Sequence, residues 1–517
     1  MKLEFPKLLY KGGSIMKHWF KKLVCLTLFA VFASFASFGC SSAPDKEDEA
    51  FNNEIIDIYE NLQPVTLTLL FPGSEPSGWN TVRTKLEIKL KSTVNAKLDF
   101  KWLPQDSYFN NIRSITASAE SFDGFTCGEP DRNSIDFVQM ARSGELRDIA
   151  ELFPANAPTL FIKYKQEELD FATVDGILYA VPSLSPYGLA EQVYVKDDYK
   201  ENADKIKMKN YDDYEKFLEE IKNTGRLGQA GSIYNTSGSM ALFARMYDYV
   251  ILDRSLNLLY KWDDPHMILI PWEKTPEFKQ AMSRLQSWYE NKYMRTFPIL
   301  DPASSLYYFD FIPADATGAM NLYQLYPEKA VQRANSMGRL GINSSMAFCA
   351  NSKYVERALM LLDWVQKSQE NYFLFMYGIE GEHYIMKDGR PDNPEGMDGT
   401  NSTYKDWSGS SAFLNPEYQV YTTDSGEKST NYRNAILKST RIPTHAGFYP
   451  DYSKVLNIAE RRANLIKSYD YLLLERKPED SNAAAPDDYI KQLDEAGTLN
   501  LVMEIQAQLD KWRDNRN

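Results

Sequence analysis

A chain of 517 residues, 43% hydrophobic and 25% charged with a formal charge of −13, is long enough to bury a large core and predicts two domains. Six lysines and one glutamate give residues 1–39 a charge of +5, which leaves −18 on the remainder. A surface that acidic argues against nucleic-acid partners and against lying flat on anionic lipid. The 33 tyrosines fit either an extracellular surface or stacking on sugar rings, and composition does not separate the two.

Lys17, Lys21 and Lys22 precede an uncharged apolar run at 23–38, too short for a stable span and patterned as an export signal, with Met16 the more ordinary start. The run ends at Ser37-Phe38-Gly39-Cys40, which resembles the bacterial lipobox, although Ser37 stands where leucine is preferred and Phe38 where a small residue is. The resemblance implies a signal peptide at 1–39, diacylation of Cys40, and anchoring to the outer face of the cell membrane at about 0.8 kcal/mol per buried methylene. Cleavage without lipid, or an uncleaved anchor, are the alternatives at this point. Residues 40–63 carry Asp45, Glu47, Asp48, Glu49 and Glu54 and read as an acidic tether.

Val65, Leu67, Leu69 and Phe71 alternate with Thr66 and Thr68, which predicts a strand broken at Pro72-Gly73. A helix is predicted over about 80–91, with Val82, Leu86 and Leu90 on one face. Leu98, Phe100 and Trp102 alternate again. Strand, helix, strand at this spacing makes a βαβ unit and a parallel sheet with a right-handed crossover. Further strands are predicted at 122–126, 178–181 and 192–195, so the body is α/β rather than a sandwich or a bundle. Thr275-Pro276 predicts an N-cap ahead of a helix carrying Phe278, Met282, Leu285, Trp288 and Tyr289. Helices are also predicted at 354–365, at 372–377 before Gly378, and over 487–517. With no linker in the composition, the domains are expected to be joined by more than one crossover.

Several segments in order resemble the large extracellular solute-binding proteins of family 1 that serve ABC importers, in the subfamily with a long C-terminal extension. These are Val174-Asp-Gly-Ile-Leu-Tyr-Ala-Val-Pro182, Thr275-Pro-Glu-Phe-Lys with Trp288-Tyr289-Glu290, Gly318-Ala-Met320, Tyr377-Gly-Ile-Glu-Gly-Glu-His-Tyr384, Gly447-Phe448 and Gln508-Leu-Asp-Lys-Trp512. The resemblance runs from about 64 to 512. It implies a two-lobe periplasmic-binding-protein-like (type II) fold with a hinge, closing over a carbohydrate, expected to be an oligosaccharide. The partners it implies are permease subunits and, through them, a cytoplasmic ATPase, with the chain itself a monomer. The expected division is 64–180 with about 310–380 as lobe 1, and 181–309 with about 381–517, including a helical C-terminal extension, as lobe 2.

Ligands of open α/β sheets sit at the carboxyl ends of strands. By that rule Ser74, Glu75 and Trp79, after the first strand, and Glu129, after the strand at 122–126, are candidate binding residues. Carboxylates can accept from neighbouring sugar hydroxyls. Tyr187, Tyr234, Trp272 and Tyr323 lie beside predicted elements and offer flat apolar faces. Each of these aromatics fits core packing as well. The segment 73–80 lacks the Lys-Ser/Thr of a phosphate loop. Residues 388–399 put Arg390, Asn393 and Gly399 where a calcium loop needs other types. No metal or other cofactor is expected, and no nucleophile elbow or Cys–His signature marks an enzyme. The rival classes are a glycan hydrolase with paired carboxylates and a surface adhesin. Cys127 and Cys349 are left as either a disulfide or two buried thiols.

Overall fold

The computed structural model describes residues 62–516 except 118–121, 128–133, 185–187, 190, 197–198, 224–243, 292, 294–306, 310–319, 327–330, 333–344, 398–401, 405–406, 408, 419–440 and 476–485. The expected signal, Cys40 and most of the acidic tether therefore lie outside the described residues.

The chain opens with β1 (Val65–Pro72), α1 (Trp79–Leu90), β2 (Ala96–Leu103), α2 (Tyr108–Ala117) and β3 (Gly124–Cys127), then reaches β4 (Ala180–Pro182). Next come β5 (Glu191–Lys196), α3 (Tyr211–Asn223), β6 (Tyr249–Asp253), β7 (Leu258–Lys261), β8 (Ile270–Pro271) and α4 (Phe278–Glu290). They are followed by β9 (Tyr307–Phe309), β10 (Met320–Leu325), β11 (Ser345–Phe348), α5 (Val355–Gln366) and α6 (Gln369–Met376). The last helices are α7 (Leu456–Glu475), α8 (Pro486–Glu495) and α9 (Thr498–Asp514).

The predicted βαβ unit forms. β1 pairs in parallel with β2 along its whole length and with β3 on its other side. Trp79, Val82, Leu86 and Leu90 are the buried face of α1. Fully burying each such aliphatic side chain is worth about 1.5–3 kcal/mol. The complete sheet runs β2-β1-β3-β11-β4, and β11 is antiparallel to both of its neighbours. The mixed α/β architecture is the two-lobed one expected.

A second sheet, β9-β5-β10, and a third, β8-β7-β6, are antiparallel. Alternate residues of β6 and β7 face two different cores, Tyr249 and Leu259 one, Val250, Leu252, Leu258 and Tyr260 the other. That third sheet therefore sits between two apolar layers that together make the second lobe.

The cores divide the chain differently from the expected boundaries. β10, assigned above to lobe 1, completes the sheet of β5 and buries Leu325 in the second lobe. Tyr404, Trp407, Phe413 and Ala446, assigned to lobe 2, pack into the first core. The reason is pairing geometry: β5 needs a neighbour on each side, and the first sheet leaves an apolar end that the 402–415 segment covers. The helix after Pro276 starts at Phe278, because the Thr275 hydroxyl donates backward to the Trp272 carbonyl at 2.7 Å instead of capping forward.

Among the described residues, three crossings join the lobes: between β4 and β5, between β10 and β11, and between Ala446 of the first core and Phe448 of the third. The first two pair with each other as a short antiparallel ribbon, Gly188–Leu189 against Val331–Gln332. The third turns at Gly447, where φ is +85° and an added Cβ would stand 2.6 Å from the Asp170 carbonyl oxygen.

Candidate functional site

β1, β2 and β3 are parallel, β4 runs with them, and β11 starts where they finish, with Ser345 opposite both Cys127 and Pro182. The strand ends Pro72, Leu103, Cys127 and Pro182 and the strand start Ser345 therefore lie at one edge of the sheet, and the described connections 73–78 and 104–107 leave from it. The described part of that edge holds Ser74 and Glu75, both exposed, and the exposed Gln105 and Asp106 after β2. Gly73, at φ +104°, donates to the Leu103 carbonyl at 2.7 Å and ties the two loops together. Ser183, buried, donates to the Leu414 carbonyl at 3.3 Å.

Beneath these polar groups lies an aromatic layer. The half-buried Trp102 meets Phe71, Trp79 and Trp407 at centroid distances of 5.9, 5.4 and 5.9 Å. The contacts with Trp79 and Trp407 are edge-to-face, which fixes the ring's plane. Trp407 is in turn held by its indole N–H, which donates to the Phe375 carbonyl at 3.2 Å. Gly409 has no room for a side chain against Phe71. The 402–415 segment is locked from below by Gln366, which donates to the Phe413 carbonyl at 2.7 Å and accepts from Asn415 at 2.9 Å.

Trp79, expected to face a ligand, is 2% exposed and lies parallel to Phe100 at 4.7 Å and to Tyr404 at 6.4 Å. Its indole is a core residue, drawn inward where Gly78 packs on His383 and Thr403. Trp272 is 1% exposed in the second core among Tyr247, Tyr249 and Phe278, and its indole N–H has no hydrogen-bond partner among the described residues. These two rings leave no face for a solute. Tyr323 is half-buried on β10 and donates to Asp204 at 2.6 Å. Burial and that carboxylate raise its phenol well above the ordinary range. Ser74 and Glu75 stand together at the edge, while Tyr323 belongs to the other lobe. Glu129, Tyr187 and Tyr234 lie outside the described residues.

Gln105, Asp106 and Trp102 escaped the sequence reading, although the strand-end rule that selected Ser74 applies equally to β2. At the opposite end of the sheet, burial raises the Asp123 carboxyl, partly offset by the Ser352 hydroxyl and the Thr68 N–H. Among the described residues, no group of three or more His, Cys, Asp or Glu is placed to hold a metal ion. Residues 385–392 form a hairpin turning on Asp388-Gly389, both at positive φ. Cys127 and Cys349 are two buried free thiols, which settles the alternatives left open above. An open hollow along α7, lined by Asn457, Glu460, Arg461, Asn464, Leu465 and Ser468, lies in the second lobe. No described helix is long and apolar enough to cross a membrane.

No family model and no curated protein matches this chain. Solved structures do. The N-glycan transport solute-binding protein of Streptococcus pneumoniae is 17% identical over 88% of this chain and 100% of its own, at a TM-score of 0.64. The same protein in complex with Man5GlcNAc gives 16% identity over the same shares and a TM-score of 0.51. A human-milk-oligosaccharide-binding, ABC-transporter-associated solute-binding protein of Bifidobacterium longum infantis gives 13% identity, 88% and 99% coverage, and 0.57. At such identities the likeness is one of fold, and it spans both lobes.

Proposed function

We propose that this chain is the extracytoplasmic solute-binding component of an ABC importer, and that it holds a carbohydrate, an oligosaccharide in our reading, at the carboxyl edge of the first sheet where the second lobe can close on it. One observation carries the reading: the parallel strands deliver the exposed Ser74, Glu75, Gln105 and Asp106 to the same edge at which β2 ends in the aromatic cluster of Trp102. Sugars need that combination of hydroxyl acceptors and flat apolar faces. The fold-level neighbours, which are sugar-binding proteins by name, point the same way.

In this reading Trp102 is the ring on which the sugar stacks, and Ser74, Glu75, Gln105 and Asp106 bond its rim. Glu129, Tyr187 and Tyr234 complete the cleft. Capture is passive, and ligand bias between open and closed forms supplies the signal to the permeases. Cys40 carries the lipid, residues 41–63 form the tether, and the protein works as a monomer.

A thermal-shift screen of the full chain against Man5GlcNAc, kestose, alginate fragments and human-milk oligosaccharides tests the proposal. One class should raise Tm saturably, following the mass-action rule that gives about 2.7 kcal/mol at a hundredfold excess over Kd. Trp102→Ala should weaken that class about tenfold or more. A flat panel, or appearance of reducing ends during incubation, sinks the reading. Replacing Cys40 by Ser should release the protein from the cell surface, and unchanged membrane retention would refute the anchor.

A further inference from the structure

The third crossing is fastened on both sides. Toward the second lobe, Tyr260 meets His445 Nδ1 at 2.7 Å and the Thr444 hydroxyl at 3.0 Å. Tyr452 donates to Asp253 at 2.7 Å, and Gln508 of α9 bonds both polar backbone groups of Asp451 at 2.8 Å. Toward the first lobe, Gly447 lies against the Asp170 carbonyl, and the Tyr449 hydroxyl donates to the Phe171 carbonyl. Arg142, already paired with Asp175, donates to the Tyr449 carbonyl at 2.8 Å.

Arg516 adds something different. It follows α9, whose Leu501, Ile505 and Leu509 are in the third core, yet one of its Nη atoms bonds the Asp170 carboxylate and the other donates to the Ala446 carbonyl at 2.9 Å. Its guanidinium rests 4.6 Å above the Trp512 ring, and Trp512 packs on Phe448 at 5.7 Å. Asp170 is 9% exposed by side chain and Arg516 41%. The pair therefore spans the two lobes at the surface, close beside a backbone turn that only glycine can make.

We infer that Asp170 and Arg516 form a latch that holds the lobe arrangement seen here and opens when the lobes rotate. The 188–189 and 331–332 ribbon ties the first two crossings together as one unit. A third crossing away from that ribbon would block rotation unless it can bend, and Gly447 is where it bends. The backbone contacts at Gly447 stay at the pivot, whereas the side-chain pair reaches outward from it. That makes the ion pair the contact that rotation breaks, and a partly exposed pair is weak enough to break. Population balance, not ligand contact, is then what Arg516 sets. The inference requires two lobes but no particular ligand.

Spin labels at exposed Lys85→Cys on α1 and Lys216→Cys on α3, in the full chain with Cys25 and Cys40 changed to Ser, report the lobe separation without any ligand. Cys127 and Cys349 are buried and do not label. The parent should give one narrow distance distribution. Arg516→Gln should add a second distance, shifting the two-state ratio about threefold or more. The swap Asp170→Arg with Arg516→Asp should restore the single distance. Should the swap fail to fold by circular dichroism, Arg516→Gln, whose side chain is 41% exposed, carries the test alone. Identical distributions in Arg516→Gln and the parent, or a folded swap that stays broadened, overturn the latch. Neither result depends on whether the solute is a sugar.

Discussion

The two lobes are held together by different physics. The first is closed by area: β1 and β2 alternate, α1 supplies one apolar face, and Phe71, Phe100, Trp79 and Trp407 interlock without a charge among them. The second is stitched. Arg284 of α4 binds Asp212 and Glu215 of α3, Trp288 donates to Glu215 at 2.5 Å, and Tyr293 bonds Glu219. Deeper in, Arg462 of α7 makes two bonds to Glu273, at 2.8 and 2.9 Å, and both side chains are wholly buried. Arg462 also donates to Thr498 at the start of α9 and to the Leu256 carbonyl. Apolar burial is non-directional and tolerates small shifts, while this buried ion pair fixes α7 to the turn 272–274 after β8 and is intolerant of losing a partner.

The largest expected effects form a matched pair. Arg462→Met leaves the Glu273 carboxylate buried and unpaired and should cost about 3–5 kcal/mol in urea unfolding. Arg462→Met with Glu273→Met should recover most of that loss. A single variant that unfolds like the parent would mean the second lobe is not stitched at all. Trp79→Ala should cost about 3–5 kcal/mol through the cavity it leaves, and should move a first-lobe melting transition without moving the other.

A pH experiment sharpens the contrast further. His445 is fully buried, and burial holds its imidazole down to about 3 from an ordinary 6.5. The unfolded chain thus binds a proton the folded one refuses between those values, so stability falls as pH drops from 6.5 toward 3. The expected slope is about 1 kcal/mol per pH unit, and His445→Gln should flatten it in acid unfolding. Equal slopes in both proteins would remove His445 from the account. Smallest of the set, Ser368→Ala removes the N-cap bond to the Asn371 N–H at 3.2 Å on α6 and should cost about 1 kcal/mol by chemical denaturation.

What could be read in advance follows the same division. α1 and β2 were legible because one face is wet and one dry, which prints a period on the sequence, and β1 because Thr66 and Thr68 interrupt its apolar residues before both faces go under. β7 was not, since Leu258, Leu259 and Tyr260 are all buried between two cores and alternate with nothing. At the candidate site, a strand's end tells where a loop lies and not which way its ring turns. Trp79 turned inward because Tyr404 and His383, distant in sequence, arrive to cover it. Ser74 and Glu75 stay exposed at the edge, being polar groups with no apolar surface to satisfy.

The place of β11 in the first sheet bears on how the molecule is made. It lies between β3 and β4, strands that precede it by the whole of β5 to β10. As synthesis proceeds, the leading part of the polypeptide emerges with a vacant slot in its main sheet, and nothing upstream fits there. Completion waits until β11 has been made, so finishing this sheet carries the entropic cost of closing one very long loop. A polypeptide that cannot finish its first half early keeps that half open for the interval.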